Sequence, residues 1–364
     1  MDDLQHPDGV WTWKQDSTSR SSALWLPYLQ SVEKSKGKGR WRLAYNGGEF
    51  DADLAQVDTV MLYGASGSLP VEFLDDLNTH RIPLLVHRRN VDSPYLFMPF
   101  RSRDSRDMLS AQIRARDNEI RRCYIARTLV RYRFQDASPQ IPIPDASWRS
   151  LATLRSIKAI RIWEAHQAQR FWSAYFSSLG LSEQTRREGG PLPAALDACS
   201  FFLFGVMLRW VLLHRMSPTH GFLHEPTEYP SLVYDLIEPY RHLMERAVCA
   251  SAQECTAKGL DLRAASSSKA LTEAALSMLK SMLDETVHAQ PTRQWVRRKN
   301  LLHGAVLALR AYLIGDMSRL VIPHEQLPAG GRPVKVTYRL PGERRTQRGA
   351  KVPVSAEQKK SPLC

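Results

Sequence analysis

The chain has 364 residues, an apolar fraction of 43%, and 50 basic against 37 acidic residues, which gives a net charge of +13 and a pI near 9.7. That length argues against one small domain and for two domains with tails, and the charge argues for an anionic partner. The cysteines (Cys123, Cys199, Cys249, Cys255, Cys364) are odd in number and form no C-x-x-C pair. That argues against a disulfide framework or a zinc ribbon and fits a reducing cytoplasm, as does a polar, acidic N-terminus without a signal-peptide core.

Residues 1–40 mix Trp11, Trp13, Trp25 and Leu26 with Ser/Lys/Gly clusters, and are read as an N-terminal extension of uncertain order. From 41 to 100 the pattern is a small β-rich domain. W-R-L-A-Y runs to a Gly47-Gly48 turn, and D-T-V-M-L-Y-G is a buried-strand run. An amphipathic helix is expected at 70–79, followed by strands I-P-L-L-V-H-R and Y-L-F-M. G-A-S-G-S lacks the Lys-Ser/Thr ending of a phosphate loop and reads as a turn.

The stretch 101–134 reads as one long helix with ten arginines against four acids. Leu109, Ile113, Ile120, Tyr124, Leu129 and Val130 are expected to face the core. Scattered charge usually means a solvated face, but an excess made almost wholly of arginine also suits phosphate, which guanidinium binds bidentately. Arg114, Arg121 and Arg122 are the candidates for phosphate contact on this helix. Pro139, Pro142 and Pro144 then break the chain, and Asp145 or Ser147 can cap a helix over about 146–180. In that helix Ile157, Ile160, Glu164, Ala168, Phe171 and Tyr175 share one stripe, so Glu164 sits among apolar neighbours. A carboxylate there needs a partner, either an arginine or a metal ion. His166 projects elsewhere.

Residues 196–213 are apolar nearly all round, interrupted by Asp197 and Arg209, and are expected to form a buried central helix and not a membrane span. Then comes P-T-H-G-F-L-H-E-P-T-E-Y-P-S-L-V-Y-D-L-I-E-P-Y-R at 218–241. A Pro/Thr/Gly turn presents His224, and Asp235, Glu238 and Arg241, each three residues apart, line one helical edge. One imidazole with two carboxylates suits Mg2+ or Mn2+, although a solvated loop uses the same residues. His220 is read as a solvated turn residue. Further helices are expected at about 240–250, 268–288 and 293–316. Residues 326–364 read as a basic disordered tail carrying nine basic and two acidic residues.

Three separated pieces together resemble the CRISPR-associated integrase family, the larger of the two universal spacer-acquisition proteins. They are the W-E-A-H-Q-A-Q-R-F-W run containing Glu164, the Gly221–His224 turn, and the S-L-V-Y-D-L-I-E-P-Y-R segment of Ser231–Arg241. The resemblance covers roughly 41–323. It departs from the family at D-A-C-S-F-F-L-F, where Asp197 and Phe204 stand near positions of an Asn-x-x-Leu-Asn-x-Gly-Tyr run. It implies an α+β chain: an N-terminal β-rich, sandwich-like dimerisation domain at 41–100, then a larger all-α catalytic domain at 101–325. It also implies phosphodiester transfer on double-stranded DNA by a cytoplasmic, prokaryotic integrase and endonuclease. Glu164, His224 and Glu238 would hold Mg2+ or Mn2+, and Asp235 would be a further catalytic carboxylate, as ligand or as orienter. Arg241 joins the candidate DNA contacts. Expected partners are a second copy of the chain and a small second adaptation protein, with no membrane. A non-catalytic DNA-binding scaffold, and a transposase built on the same catalytic domain, are the alternatives.

Overall fold

The computed structural model of the protein describes residues 23–45, 48–57, 59–88, 95–99, 107–137, 141–225, 227–326 and 335–342. Trp11, Trp13, Gly47, Arg101, Arg103, Arg106 and Pro139 lie outside these residues. The chain divides into two compact units, one comprising 1–106 with 202–216 and the other 107–201 with 217–364.

The first unit holds β1 (Ala23–Pro27), β2 (Leu29–Lys34), β3 (Arg40–Tyr45), β4 (Gly48–Asp53), β5 (Thr59–Tyr63), α1 (Val71–His80), β6 (Leu84–His87) and β7 (Tyr95–Phe97). β1, β5 and β6 pair in parallel and β7 closes that sheet antiparallel, while β2, β3 and β4 form an antiparallel meander. β5 reads T-V-M-L-Y and is buried along nearly its whole length, as a central parallel strand must be. β3 alternates, with Trp41, Leu43 and Tyr45 inward. Trp41 lies edge-on to Phe73 of α1 and its Nε1–H donates to Asp76 (3.0 Å), which satisfies the polar end of a buried indole. The strand-rich region begins at β1, so Trp25 and Leu26 are core residues and not part of a separate extension.

The second unit holds α2 (Met108–Asp117), α3 (Glu119–Ala137), α4 (Asp145–Thr153), α5 (Ile157–Ser178), α7 (Ser231–Ile237), a 3-10 turn (Glu238–Tyr240), α8 (Arg241–Ala257), α9 (Ser268–Asp284), β8 (Thr286–Ala289), β9 (Gln294–Arg297) and α10 (Lys299–Leu313). α6 (Pro191–Leu213) starts in this unit and ends in the first. It is long and apolar enough to cross a membrane, with 67% of its most apolar window buried inside the protein.

Two expectations change here, and one is refined. The arginine-rich segment is two helices, because Asn118 ends α2 and its side chain accepts from Arg121 N (2.9 Å) to start α3. The break resets the register, so Leu109 and Ile120 are exposed while Met108, Ala111, Ala115, Cys123 and Ala126 are buried. The larger helical unit follows the strand-rich one as expected, and it carries one short β8–β9 hairpin around Gln290–Arg293 between α9 and α10. The tail is not uniformly loose. Within Lys335–Gly342, Leu340 is buried and exchanges hydrogen bonds with Gln294 (2.9 and 3.2 Å), and Asn300 Nδ2 donates to Pro341 O (3.0 Å).

Candidate active site

The loop before α7 is built from its backbone outward. Ser231 Oγ donates to Thr219 O and accepts from Gly221 N, both at 2.9 Å, which fixes the start of α7 against the turn. Gly221 must be glycine, because a Cβ there would lie 2.9 Å from Asp235 Oδ2 and from His224 O. Asp235 is fully buried and accepts from Phe222 N, Leu223 N (2.9 Å) and His224 N (3.1 Å), and its Oδ1 also accepts from His224 Nδ1–H (2.7 Å). Four donors occupy its lone pairs. The carboxylate is therefore a knot that holds the loop and orients the His224 ring, with Nε2 directed away from it.

Arginines of α2 and α3 hold the other side of this loop. Arg116 donates to Gly221 O (2.9 Å) and Glu225 O (2.8 Å), and Arg122 to Phe222 O (3.0 Å) and Glu225 Oε1 (3.2 Å). Gln112, fully buried, donates to Ser217 O and His220 O and accepts from Ser217 N. Of the arginines expected to reach DNA, Arg122 thus serves the loop, and Arg121 lies half-buried over the Tyr312 ring. Arg241 pairs with Glu238, and Arg114 is exposed on the last turn of α2. His166 is exposed, and His220 is half-buried with its Nδ1 2.7 Å from Ser217 Oγ.

Glu238 follows α7 and is 4% exposed. Its Oε1 accepts from Arg241 Nη1 (2.9 Å) and its Oε2 lies 3.5 Å from Arg133 Nε of α3. Arg133 is itself buried and makes a two-point pair with Glu245 of α8. Burial opposes the charge on Glu238, yet Arg241 and Arg133 outweigh it and hold its carboxyl below the ordinary range. Glu245 is held above its ordinary value by burial in spite of the same two arginines.

Glu164 of α5 completes the group. Burial and then the charge of Glu238 push its pKa up, which places two carboxylates close enough to repel. His224 answers both. Burial works against its protonation, but the hydrogen bond and charge of Asp235, with Glu238 and Glu164, raise its pKa to about 9. The expected trio is thus drawn into one electrostatic unit with a surplus of negative charge, which suits a divalent cation. Imidazole Nε2 and two carboxylates are donors that Mg2+ or Mn2+ accepts. Sequence reasoning missed Arg133, Glu245 and Gln112. Glu238, Arg241 and Glu245 recur at helical spacing with the apolar residues of the same stripe, which was the available signal.

The tightest gathering of ligand-type atoms among the described residues lies elsewhere. Asp136 at the end of α3, His242 in the first turn of α8 and His324 beyond α10 have donor atoms all within 4.8 Å of one another. Burial disfavours the charged ring of His242 and lowers its pKa to about 3 despite Asp136. Burial also opposes the charge on Asp136, but His242 and His324 overcome it and bring its pKa to about 2.

Comparison with known proteins places the chain. A fragment of 110 residues, 30% of the chain, is 28% identical to the CRISPR-associated endonuclease Cas1 2 of Pyrobaculum aerophilum and spans 37% of that protein's length. A casposase bound to integration product superposes with a TM-score of 0.66 at 18% identity, covering 82% of this chain and 92% of the casposase. A Cas1 protein from Thermotoga maritima gives 0.65 at 18% identity, with 84% and 99% covered. A Cas6-RT-Cas1–Cas2 complex gives 0.67 at 12% identity, with 85% of this chain and 37% of that one covered. These likenesses establish a shared fold. The family model for CRISPR associated protein Cas1 matches residues 30–285, and the chain belongs to that family.

Proposed function

We propose that the chain is a metal-dependent DNA integrase and endonuclease that inserts captured double-stranded fragments into a CRISPR repeat array by 3′-hydroxyl attack on a phosphodiester. What supports this reading is the family match together with the His224 ring held by buried Asp235 and the buried Glu238, near enough to Glu164 for each to act on the other's charge. Glu164, His224 Nε2 and Glu238 would hold Mg2+ or Mn2+. When bound, the ion polarises the scissile phosphate and lowers the pKa of the attacking hydroxyl. The chain's own contribution is positional. Asp235 fixes the His224 ring through Nδ1, and Arg241 with Arg133 keeps Glu238 ionised inside a buried setting. The partners proposed with it, which family membership supports, are double-stranded DNA, a second copy of the chain through the strand-rich unit, and a small second adaptation protein. A complex containing Cas2 and one containing an integration product are among the similar structures.

Strand transfer of a fragment into a repeat-bearing plasmid, titrated with Mn2+, tests the reading. Glu164→Ala, His224→Ala and Glu238→Ala should each abolish transfer, with DNA binding retained and His166→Ala active. Full activity in all three would leave a DNA-binding scaffold as the function. The casposase likeness favours one second reading, a transposase. Preference for terminal inverted repeats over a repeat array as donor and target would select it. Sedimentation of the full chain without DNA should show a dimer. A fragment starting near residue 101 is a poor control, because it strips the first unit from Phe202–Leu213 of α6, where Trp25 meets Phe202.

A further inference from the structure

We propose that Asp136, His242 and His324 form a second cation site, distinct from the Glu164–His224–Glu238 centre, that takes Zn2+ or a similar borderline transition ion. Three elements far apart in sequence deliver one donor each. They are the last turn of α3, the first turn of α8, and the strand-like segment after α10 that pairs His324 N and O with Gln290 (2.9 and 2.8 Å). His324 is 2% exposed and His242 7%. The His324 ring stacks on Tyr240 and packs against Tyr132.

The internal geometry gathers two imidazole nitrogens around one carboxylate oxygen. His324 Nε2 lies 3.1 Å and His242 Nδ1 3.4 Å from the same oxygen, Asp136 Oδ2. His324 Nε2 and Asp136 Oδ2 are both buried, and neither has a hydrogen-bond partner among the described residues beyond this imperfectly aligned mutual contact, which helps hold the Asp136 carboxyl low. An imperfectly aligned imidazole–carboxylate contact in a buried setting leaves part of its polar demand unmet, which an ion held between the donors would supply. Donors held at about 2.0–2.1 Å around a tetrahedral ion are about 3.3 Å apart, which is the separation of the two close pairs. Two imidazoles and one carboxylate select zinc-type ions over Mg2+ or Ca2+, whose shells are built from oxygen.

The ring chemistry balances. His324 Nδ1 accepts from Gln326 N (3.2 Å), which puts the ring proton on Nε2. Ligation through Nε2 moves that proton to Nδ1 with no net release. Gln326 N–H (3.2 Å) and the Gln135 amide (3.4 Å), which also donates to Gln326 O (2.9 Å), face Nδ1, so the 324–326 turn must shift to give the new Nδ1–H an acceptor. Its place in the fold gives the site a role. Asp136 is three residues beyond Arg133, and His242 is four beyond Glu238. A bound ion would therefore clamp α3 to α8 one turn behind the charged groups that hold Glu238, and pin the segment after α10 across them.

The test uses the full chain carrying Glu164→Ala and His224→Ala, so that the first centre is disabled, with Co2+ and Zn2+ as separate probes. One equivalent of Co2+ should bind with the intense visible bands of four-coordinate cobalt, and dialysis against Zn2+ should leave one zinc per chain. His324→Asn and Asp136→Asn on that background should raise the Co2+ dissociation constant at least about a hundredfold. His242→Cys keeps a donor in place and should add the ultraviolet charge-transfer absorption of a Co–thiolate bond, a gain that misfolding cannot mimic. No bound equivalent in the background protein, equal binding in folded His324→Asn, or cobalt bound to His242→Cys without that absorption would each overturn the proposal.

Discussion

The strand-rich unit and the centre of the helical unit bury side chains to the same depth with opposite chemistry. Around β5 the buried set is Leu24, Leu26, Leu43, Leu54, Val60, Leu62, Phe73, Leu77 and Leu84, with Thr59 its one buried polar member among the described residues. Around the 3-10 turn the buried set includes Arg133, Asp235, Glu238, His242 and Glu245. An apolar core stabilises by removing surface from water, about 1.5–3 kcal/mol for each fully buried leucine-sized side chain. A buried ion pair gives back much of its attraction as desolvation, so paired charges at this depth are weak evidence for stability. The difference teaches that the charged centre serves the ionisation of Glu238, and that the fold's stability is drawn largely from elsewhere.

The strongest way to break that comparison is to remove one member of the charged set. Arg133→Met takes from Glu245 its two-point partner and leaves Arg241 as the one arginine facing both glutamates, and should cost about 3–5 kcal/mol, read from urea midpoints. Leu77→Met in the strand-rich unit keeps volume and should cost under about 1.5 kcal/mol. Equal losses in the two variants would mean that the arginine is packing and nothing more. The double variant Arg133→Met/Glu245→Met should recover much of the stability while strand transfer stays depressed, because Glu238 still lacks Arg133.

A pH titration comes next in size. The folded pKa of His224, about 9, lies above the ordinary value near 6.5. Its contribution is therefore fully present below pH 6.5 and lost as pH rises through 9, and it is about 3 kcal/mol at most in metal-free protein. In EDTA, the melting-temperature gap between the native chain and His224→Asn should be widest near pH 6 and close by pH 10. A gap that does not change with pH would mean the three carboxylates do not hold the proton there. For Asp235 the expected loss is smaller. Asp235→Asn should lower strand transfer roughly ten- to a hundredfold through a misplaced His224 ring, with partial rescue by more Mn2+. A dead, unrescued variant would make Asp235 a ligand.

The same contrast explains what the sequence disclosed. The strands at Arg40–Tyr45, Thr59–Tyr63, Leu84–His87 and Tyr95–Phe97 announce themselves by alternation or by apolar runs, since an apolar core imposes its period on each strand separately. β1 and β2 lie among Ser/Lys clusters that mask Trp25 and Leu26. The β8–β9 hairpin is cued only by Val287, Trp295 and Val296 on either side of Pro291, within a span whose helical neighbours dominate it. At the candidate centre, Glu164, His224 and Glu238 are legible as pieces of a pattern. Their supports are not. Gln112, Arg116 and Arg122 act on backbone carbonyls roughly 100 positions away, and a carbonyl has no residue type to read. A surplus of arginine on α2 and α3 therefore suggested phosphate where part of it holds a loop.

The smallest expected effect concerns the basic C-terminal stretch, and the structure changes how it should be cut. Leu340 packs where a Cβ on Gly304 would approach its Cδ2 to 2.3 Å, and Gln294 and Asn300 clasp the backbone of Leu340 and Pro341. Ending the chain before Lys335 would empty that place and should destabilise the helical unit by about 2–4 kcal/mol, the cost of losing a buried leucine. Any loss of DNA affinity would then be confounded with unfolding. Ending it after Gly342 leaves the clasp intact and removes six basic and two acidic residues. Each phosphate a protein neutralises adds about 0.9 to the slope of log affinity against log salt. The shorter chain should therefore lose about one to three units of slope, bind DNA more weakly at low salt, and keep its rate of strand transfer per bound complex. An unchanged slope would mean that these residues do not touch phosphate, and that the DNA contacts lie on the folded units.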